Sequence, residues 1–365
     1  MKKIGIITFI HNGSYGAFLQ AYALQYALNK KGYNAEVIDI VKPTTGRFTK
    51  LYLDIKGAFN LLKKGDISSI LKKYKTISRA RNKFTGKTAI ENVFYDFFYN
   101  QTKHSAIQYT ANSIYNANLD YDVVITGSDQ VWNYMMTSRL DVYFLKFAKN
   151  AKRISYAASF GISTLPFWLK REYKSLIKNI HHISVREKEG AILAKKLLKN
   201  SDPLVVVDPT LLVPKNEWTV LESKVNNIPS KYILVYNLKG SDVLDQYANE
   251  VSTTLNAEII RLKDYTPNEF IYLINNALYI VTSSYHGTVF SINFNKPFTT
   301  ILRKSKATNS RLVGLLESAG LGDRILFEED AFRPNIHNIS FEKANDFLIK
   351  GRNKSLEFLE KSINN

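Results

Sequence analysis

The stretch KIGIITFIHNGSYGAFLQAYALQYALNKKGYNAEVIDI, Lys3 to Ile40, decides the fold class. Its apolar run stops at His11 and Asn12 and passes through a loop bearing Gly13 and Gly16. Apolar residues then recur at helical spacing and end on Lys30, Lys31 and Gly32, which is a helix with a basic, glycine-marked end. NAEVIDI follows as a second strand. Strand, helix and strand in this order form a βαβ unit, with its first loop at the carboxyl edge of a parallel sheet.

Outward from this unit the alternation continues. DVVITG, RISYAAS and HISVRE read as further strands, and LVVVDPTLLVP (Leu204 to Pro214) closes the series, its prolines marking an extended exit. A second series begins after Trp218. KYILVYNL, AEIIRLK, LYIVTSS and FTTILR are strand patterns. Between them lie SDVLDQYANEVSTTLN, then TPNEFIYLINN with Thr266 as N-cap and Pro267 at the first helical position, then a helix from about His286. The expectation is two doubly wound α/β domains in tandem, residues 1–214 and 215–340, with a charged C-terminal helix over 341–365. Residues 43 to about 115 interrupt the first domain as a basic, aromatic, mostly helical insertion.

Composition bounds the function. The chain of 365 residues, 45% hydrophobic and 13% aromatic, is long enough for two cores. With no cysteine, disulfides, thiolate metal sites and cysteine nucleophiles are excluded together. The opening MKKIGIITFI superficially resembles a signal peptide, but its apolar run is short and no small-residue cleavage site follows. No apolar stretch approaches the ~20 residues of a membrane span. A cytoplasmic protein without cofactor or bound metal is expected. The net charge is +18, and Lys42 to Lys87 alone holds 13 Lys and Arg against two acids. That segment suits phosphates or an anionic membrane surface, or else it is a solvated helical face. Nucleic acid is the weakest partner class, because zinc-finger spacing, RNA-binding signatures and a recognition helix are all missing.

Three junctions carry polar residues suited to chemistry. In HNGSYG, the glycines allow a tight turn and the following helix N-terminus can receive an anion, although neither a dinucleotide fingerprint nor a Walker loop is present. DVVITGSDQVWN delivers Gly127, Ser128, Asp129 and Gln130 to the carboxyl end of a strand, where ligands sit in open α/β sheets. Asp129 reads as a base or orienting group and Trp132 as a sugar-stacking cleft residue; the alternative is an N-cap and a core tryptophan. In VTSSYHGTVF, Val281 to Phe290, His286 and Gly287 fall at a helix N-terminus. A histidine there can donate to an anion and exchange a proton near neutral pH, and the glycine would let a ligand approach the backbone. NSRLVGLLESAGL adds Asn309 and Arg311 ahead of a helix, the arginine suited to bidentate pairing with carboxylate or phosphate.

Taken in order, NGSYGAFLQAYAL, DVVITGSDQVWN, RISYAASFG, ISVREKEG, VVDPTLL, TPNEFIYLINNALYIVTSSYHGTVFSINFNKPF and NSRLVGLLESAGL resemble the polysaccharide pyruvyl transferase family over roughly residues 4 to 325. The resemblance implies a GT-B-like fold, two Rossmann-type domains facing a cleft. It also implies transfer of a pyruvyl group from phosphoenolpyruvate to a sugar hydroxyl pair, forming a cyclic ketal. His286 matches the family histidine and, with Asp129, is the expected catalytic pair. Ser284, Gly287, Thr288, Asn309 and Arg311 are expected on the donor side. Asn12, Gly16, Gly127, Ser128, Gln130, Trp132 and Arg186 are expected on the acceptor side or in the cleft. The implied partners are phosphoenolpyruvate, a free or lipid-linked sugar acceptor and an anionic membrane contacted peripherally.

One position departs from the family pattern. Several members carry an arginine two residues before the histidine, in an R-L-H-like motif; here Ser284 and Tyr285 precede His286. The missing anion contact would then come from Arg311 or Arg303. Two other readings remain open: a nucleotide-sugar glycosyltransferase on the same fold class, and a non-catalytic binder of glycans or lipid headgroups.

Overall fold

The structure, a computed structural model, describes residues 1–10, 13–41, 89–199, 202–238, 240–304, 309–330, 336 and 339–365. The whole basic segment from Lys42 to Lys87, and Asn12, lie outside the described residues. Of the expected helical insertion, the described part holds one helix at Ala89–Gln101 and a short 3-10 turn at Ser113–Asn116.

Along the chain the first series runs β1 (Lys3–Ile7), α1 (Tyr15–Lys30), β2 (Asn34–Val37), α2 (Ala89–Gln101), β3 (Val123–Thr126) and β4 (Lys152–Ala158). It continues with α3 (Lys170–Ile177), β5 (His182–Val185), α4 (Lys188–Leu197), β6 (Leu204–Val205) and α5 (Pro209–Leu212). The second runs β7 (Tyr232–Tyr236), α6 (Asp242–Leu255), β8 (Glu258–Arg261), α7 (Pro267–Asn276), β9 (Tyr279–Thr282) and α8 (Tyr285–Asn293). It ends with β10 (Phe298–Leu302), α9 (Ser310–Ser318), β11 (Ile325–Phe327) and α10 (Glu342–Asn364). Both sheets pair in parallel throughout, in the orders β2-β1-β3-β4-β5-β6 and β11-β10-β9-β7-β8.

Strand order reverses between β1 and β3 in the first sheet and between β7 and β9 in the second. Connections leave such a point in opposite directions, so a crevice opens at the carboxyl ends of those strands. Thr8 and Ser128 lie beyond β1 and β3, and Ser283 and Ser284 beyond β9.

Local signals behave as their chemistry dictates. Thr266 and Glu269 form a reciprocal capping box at α7, with Pro267 at the first turn. Helix α1 is buried over twelve of its sixteen residues, so it is a central helix and not a surface one. It packs on the first sheet and also reaches the second domain. Tyr15 stacks on Phe270 with ring centroids 4.7 Å apart and donates to the Tyr265 carbonyl at 2.7 Å. One continuous apolar core consequently runs from Ile4 and Leu24 through Trp218 to Phe270, Phe290 and Leu316.

Helix α10 returns from the second domain to the first. Ala344, Leu348, Leu359 and Ile363 are buried. Gly351 is required there, because a Cβ would lie 2.5 Å from Val207 Cγ1. Ser355 Oγ accepts from the Val207 amide at 3.1 Å, and Lys2 and Lys152 both donate to the Ile363 carbonyl. No helix among the described residues is long and apolar enough to cross a membrane.

Candidate active site

Five elements converge where the two crevices meet. Asp208 follows β6 and caps α5, its Oδ1 accepting from the Thr210 amide at 3.0 Å and the Thr210 hydroxyl at 2.7 Å. Its other oxygen accepts from Arg186 Nη1 at 2.9 Å and from Ser128 Oγ at 3.0 Å. His286 Nε2 lies 3.8 Å from that same oxygen, close enough for charge to be felt but too long for a hydrogen bond. Arg186 follows β5, and its guanidinium carbon sits 4.3 Å from the Tyr285 ring centroid, a cation–π distance. Arg311, in the first turn of α9, approaches the same ring at 5.8 Å. Asp129 Oδ1 and Glu187 Oε2 stand 3.9 and 3.8 Å from Arg186.

Several of these groups are buried with bonding capacity unused. Arg186 Nε and Nη2, Glu187 Oε2, His286 Nε2 and Arg311 Nε all lack hydrogen-bond partners. Buried polar atoms are normally satisfied, and each orphan costs about 1–3 kcal/mol. Five orphans around one point mark a place built for a polar ligand. A cavity of about 630 Å³ adjoins them, lined by Arg186, Asp208, Tyr285 and Arg311 and also by Val207, Leu315, Phe347 and Lys350. Among the described residues, no cluster of His, Asp and Glu could hold a metal ion.

Burial and neighbouring charges set the protonation states. Burial pushes the His286 pKa below its ordinary value, although Asp208 pulls the other way, so the neutral imidazole is the resting form near pH 7. Burial alone would raise the Asp208 pKa, but the charge of His286 once protonated, the Arg186 guanidinium and the Thr210 hydrogen bond outweigh it, so the carboxylate is ionised near pH 7. Burial also pushes the Tyr285 hydroxyl up, so it stays neutral. For Arg311, burial and then the Arg186 charge lower the pKa, yet an arginine remains a cation at any working pH.

Backbone strain gathers at the same edge. Asp129 (φ 71°) and Ala157 (φ 51°) adopt left-handed conformations unusual for non-glycine residues. The Ser159 amide donates to the Asp129 carbonyl at 3.0 Å, and a register shift in β4 between Ser155 and Ala158 precedes it. The result aims Ser159 at Glu187 Oε1, 2.7 Å away.

The structure gathers His286, Asp129, Ser128, Arg186, Arg311 and Gly16 in one place. Gly16 is there for a reason other than ligand approach: a Cβ would lie 1.8 Å from His286 Nδ1, so the α1 N-terminus closes directly onto the imidazole. The other expected residues are held by packing, caps or hydrogen bonds. Trp132 is fully buried, stacked on Phe144 at 4.6 Å and bonded to the Tyr143 carbonyl, and is core. Thr288 is fully buried, with its hydroxyl on the Ser284 carbonyl and on Thr300. Gly287 serves packing, since its Cβ would lie 2.4 Å from Thr282 Oγ1. Ser284 caps α8 by accepting from the Gly287 amide. Asn309 ties the start of α9 to the Arg303 carbonyl. Gly127 packs on Thr8 and Ile6, and Gln130 accepts from Asn133 and abuts Gly161. Arg303 pairs with Glu328 at 2.5 Å, away from the cluster. Asp208, Glu187 and Tyr285 were not among the expected site residues. The available signal was a lone carboxylate closing the apolar run LVVVDP.

Two doubly wound parallel sheets, meeting over buried arginines, a histidine and carboxylates, define a two-domain α/β protein of GT-B-like form. The polysaccharide pyruvyl transferase family matches residues 15–305, and the chain belongs to that family. None of the curated proteins matches the chain. Among solved structures, UDP-GlcNAc 2-epimerase from Neisseria meningitidis bound to UDP-GlcNAc is similar at 11% identity, covering 100% of this chain and 93% of that one, with a TM-score of 0.47. An alpha-glucosyltransferase in complex with UDP and a 13-mer DNA containing a HMU base is similar at 10% identity, covering 100% of each chain, with a TM-score of 0.48. MurG from Acinetobacter baumannii is similar at 9% identity, covering 100% of this chain and 95% of that one, with a TM-score of 0.39. At these values the likeness carries no argument about chemistry, and the fold rests on the two sheets themselves.

Proposed function

We propose that the protein transfers the pyruvyl group of phosphoenolpyruvate to a hydroxyl pair on the sugar of a cell-surface polysaccharide precursor, releasing phosphate. The observation that carries this reading is the set of orphaned atoms on Arg186, Arg311 and Glu187, residues that line one cavity, with the orphaned His286 Nε2 3.8 Å from Asp208 in its wall. Phosphoenolpyruvate is small and anionic, with a carboxylate and a phosphate that suit two arginine forks. Arg186 and Arg311 stand against the Tyr285 ring, which supports them as the source of the charge that Ser284 does not supply.

As the oxygen of the first sugar hydroxyl bonds to the donor's second carbon, the double-bond electron pair takes up a proton at the methylene carbon in the same step, which becomes a methyl group. His286 accepts the hydroxyl proton and, as an imidazolium facing the ionised Asp208, supplies the proton to that carbon. The carbon–oxygen bond to phosphate then breaks. The second hydroxyl bonds to the same carbon and closes the ketal, and its proton leaves with phosphate. Asp208 stabilises the imidazolium electrostatically, while Arg186 and Arg311 orient the donor. A cavity of about 630 Å³ exceeds the needs of phosphoenolpyruvate alone, which supports an acceptor sugar in the same space.

In this reading the acceptor is lipid-linked at the cytoplasmic face of a membrane. The 13 cations between Lys42 and Lys87, argued from sequence alone, would hold the enzyme there peripherally. Phosphate release from phosphoenolpyruvate that depends on acceptor is the test. Nucleotide release from a nucleotide sugar would instead make the protein a glycosyltransferase, and no release from either would make it a binder.

A further inference from the structure

Phe167 is 78% exposed and Trp168 is 48% exposed, and no other two exposed large hydrophobic residues among the described ones are adjacent in sequence. Their rings meet edge-on, centroids 5.0 Å apart. Leu165 before them is buried and Leu169 after them packs on the core, so the loop is pinned on both sides with its aromatic tip outward. Directly after the tip, α3 turns Tyr173, Leu176 and Ile177 inward. Its outward face and the next residue carry Lys170, Arg171, Lys174 and Lys178 against Glu172 alone.

We propose that the Phe167–Trp168 tip and the basic face of α3 dock onto an anionic bilayer, with the two rings at headgroup depth. Tryptophan and phenylalanine flanked by Lys and Arg suit the membrane interface, where ring and charge are both satisfied. A protein partner is less suited, since lysine is depleted in such interfaces. The loop leaves the carboxyl edge of β4. Ser159 at its root bonds Glu187, and a Cβ on Gly161 would lie 2.2 Å from Gln130 Oε1. Docking there turns the edge that carries the catalytic cluster toward the bilayer. The inference deepens the membrane part of the preceding reading and does not depend on the reaction chemistry.

Of the three tryptophans, Trp132 and Trp218 are fully buried, so quenching from a bilayer reports Trp168. The full-length protein is mixed with vesicles of phosphatidylcholine and phosphatidylglycerol, with and without brominated acyl chains. We expect quenching by brominated anionic vesicles that disappears in Trp168→Phe, while that variant still sediments with vesicles. Replacing both Phe167 and Trp168 by serine should weaken partitioning roughly tenfold or more. Lys170→Gln and Lys174→Gln should each weaken it roughly fivefold, and high salt should act in the same direction. Binding without Trp168 quenching would overturn the proposal and place the contact elsewhere. So would absence of binding, equal binding to neutral vesicles, or quenching by a soluble oligosaccharide alone. Phosphate release on a soluble acceptor should be unchanged in the Phe167 and Trp168 variants, which separates failure of this contact from failure of pyruvyl transfer.

Discussion

Replacing Asp208 by asparagine should cost far more than the loss of one charge, because no orientation of the amide fits its surroundings. One carboxylate oxygen faces the Arg186 guanidinium and the other faces the Thr210 backbone amide, and both partners can only donate. Whichever way the asparagine turns, its NH₂ meets a donor. Facing Arg186, it strands a buried cation, and breaking a buried ion pair in this way costs about 3–5 kcal/mol. Facing Thr210, it removes the cap of α5, worth about 1 kcal/mol, and orphans a buried N–H for about 1–3 kcal/mol more. Arg186 then also loses its closest counter-charge, since Glu187 and Asp129 stand 3.8 and 3.9 Å away. The expected loss is about 3–5 kcal/mol in either case. Urea unfolding followed by the fluorescence of buried Trp132 and Trp218 reads it. Arg186→Met combined with Asp208→Asn should cost less than the sum of the two single changes, since the double variant removes both members of the pair and leaves neither facing the other's absence. A loss under ~1 kcal/mol for Asp208→Asn, or strict additivity, would refute the account of the cluster as an interlocked pair.

His286→Ala should lower the acceptor-dependent rate of phosphate release by ~10²–10⁴-fold with the fold retained by circular dichroism, and turnover within threefold of wild type would remove it from the mechanism. Because burial holds the His286 pKa below 6.5, the rate should keep its plateau through that pH and fall only at lower values. The unfolded chain takes up this proton first, so stability should also decline as pH drops below about 6.5, and His286→Gln should flatten that decline. Arg311→Lys should weaken phosphoenolpyruvate binding in calorimetry, because lysine lacks the bidentate fork; unchanged affinity counts against a donor contact. Gly16→Ala should displace the imidazole and cost about 1–3 kcal/mol, with a fall in rate; a variant equal to wild type in both would show that α1 and α8 have room to part.

The alternation of strands and helices was legible because each element carries its own periodicity. Lys3 to Ile40 alone announces the first βαβ unit, and Thr266–Pro267 announces the start of α7. The site was legible only in part, because residue type reports chemistry but not facing. Trp132 has the same side chain whether it stacks on a sugar or on Phe144. Gly287 and Thr288 sit on the first turn of α8 but face β9 and β10. The role of Asp208 is hidden in the sequence, since its partners Arg186, Ser128 and His286 lie 22, 80 and 78 residues away along the chain. Nothing local in VVVDP distinguishes a helix cap from the anionic centre of a charge cluster, and here one residue is both.

The return of α10 to the first domain bears on how the chain emerges from the ribosome. Val207, on the first domain, has its amide on Ser355 and its side chain against Gly351, and the start of β4 is joined to Ile363 through Lys152. These partners are synthesised after the whole second domain. A nascent first domain can form its strands, but the surface later covered by Leu348, Leu359 and Ile363 stays wet until more than a hundred further residues have been made. At ~5–20 residues per second that delay lasts several seconds or more, long enough for a chaperone to bind and long enough for neighbouring nascent chains to stick to one another. A chain stopped before Glu342 would keep that surface permanently, so late truncation should be harsher than its short length suggests.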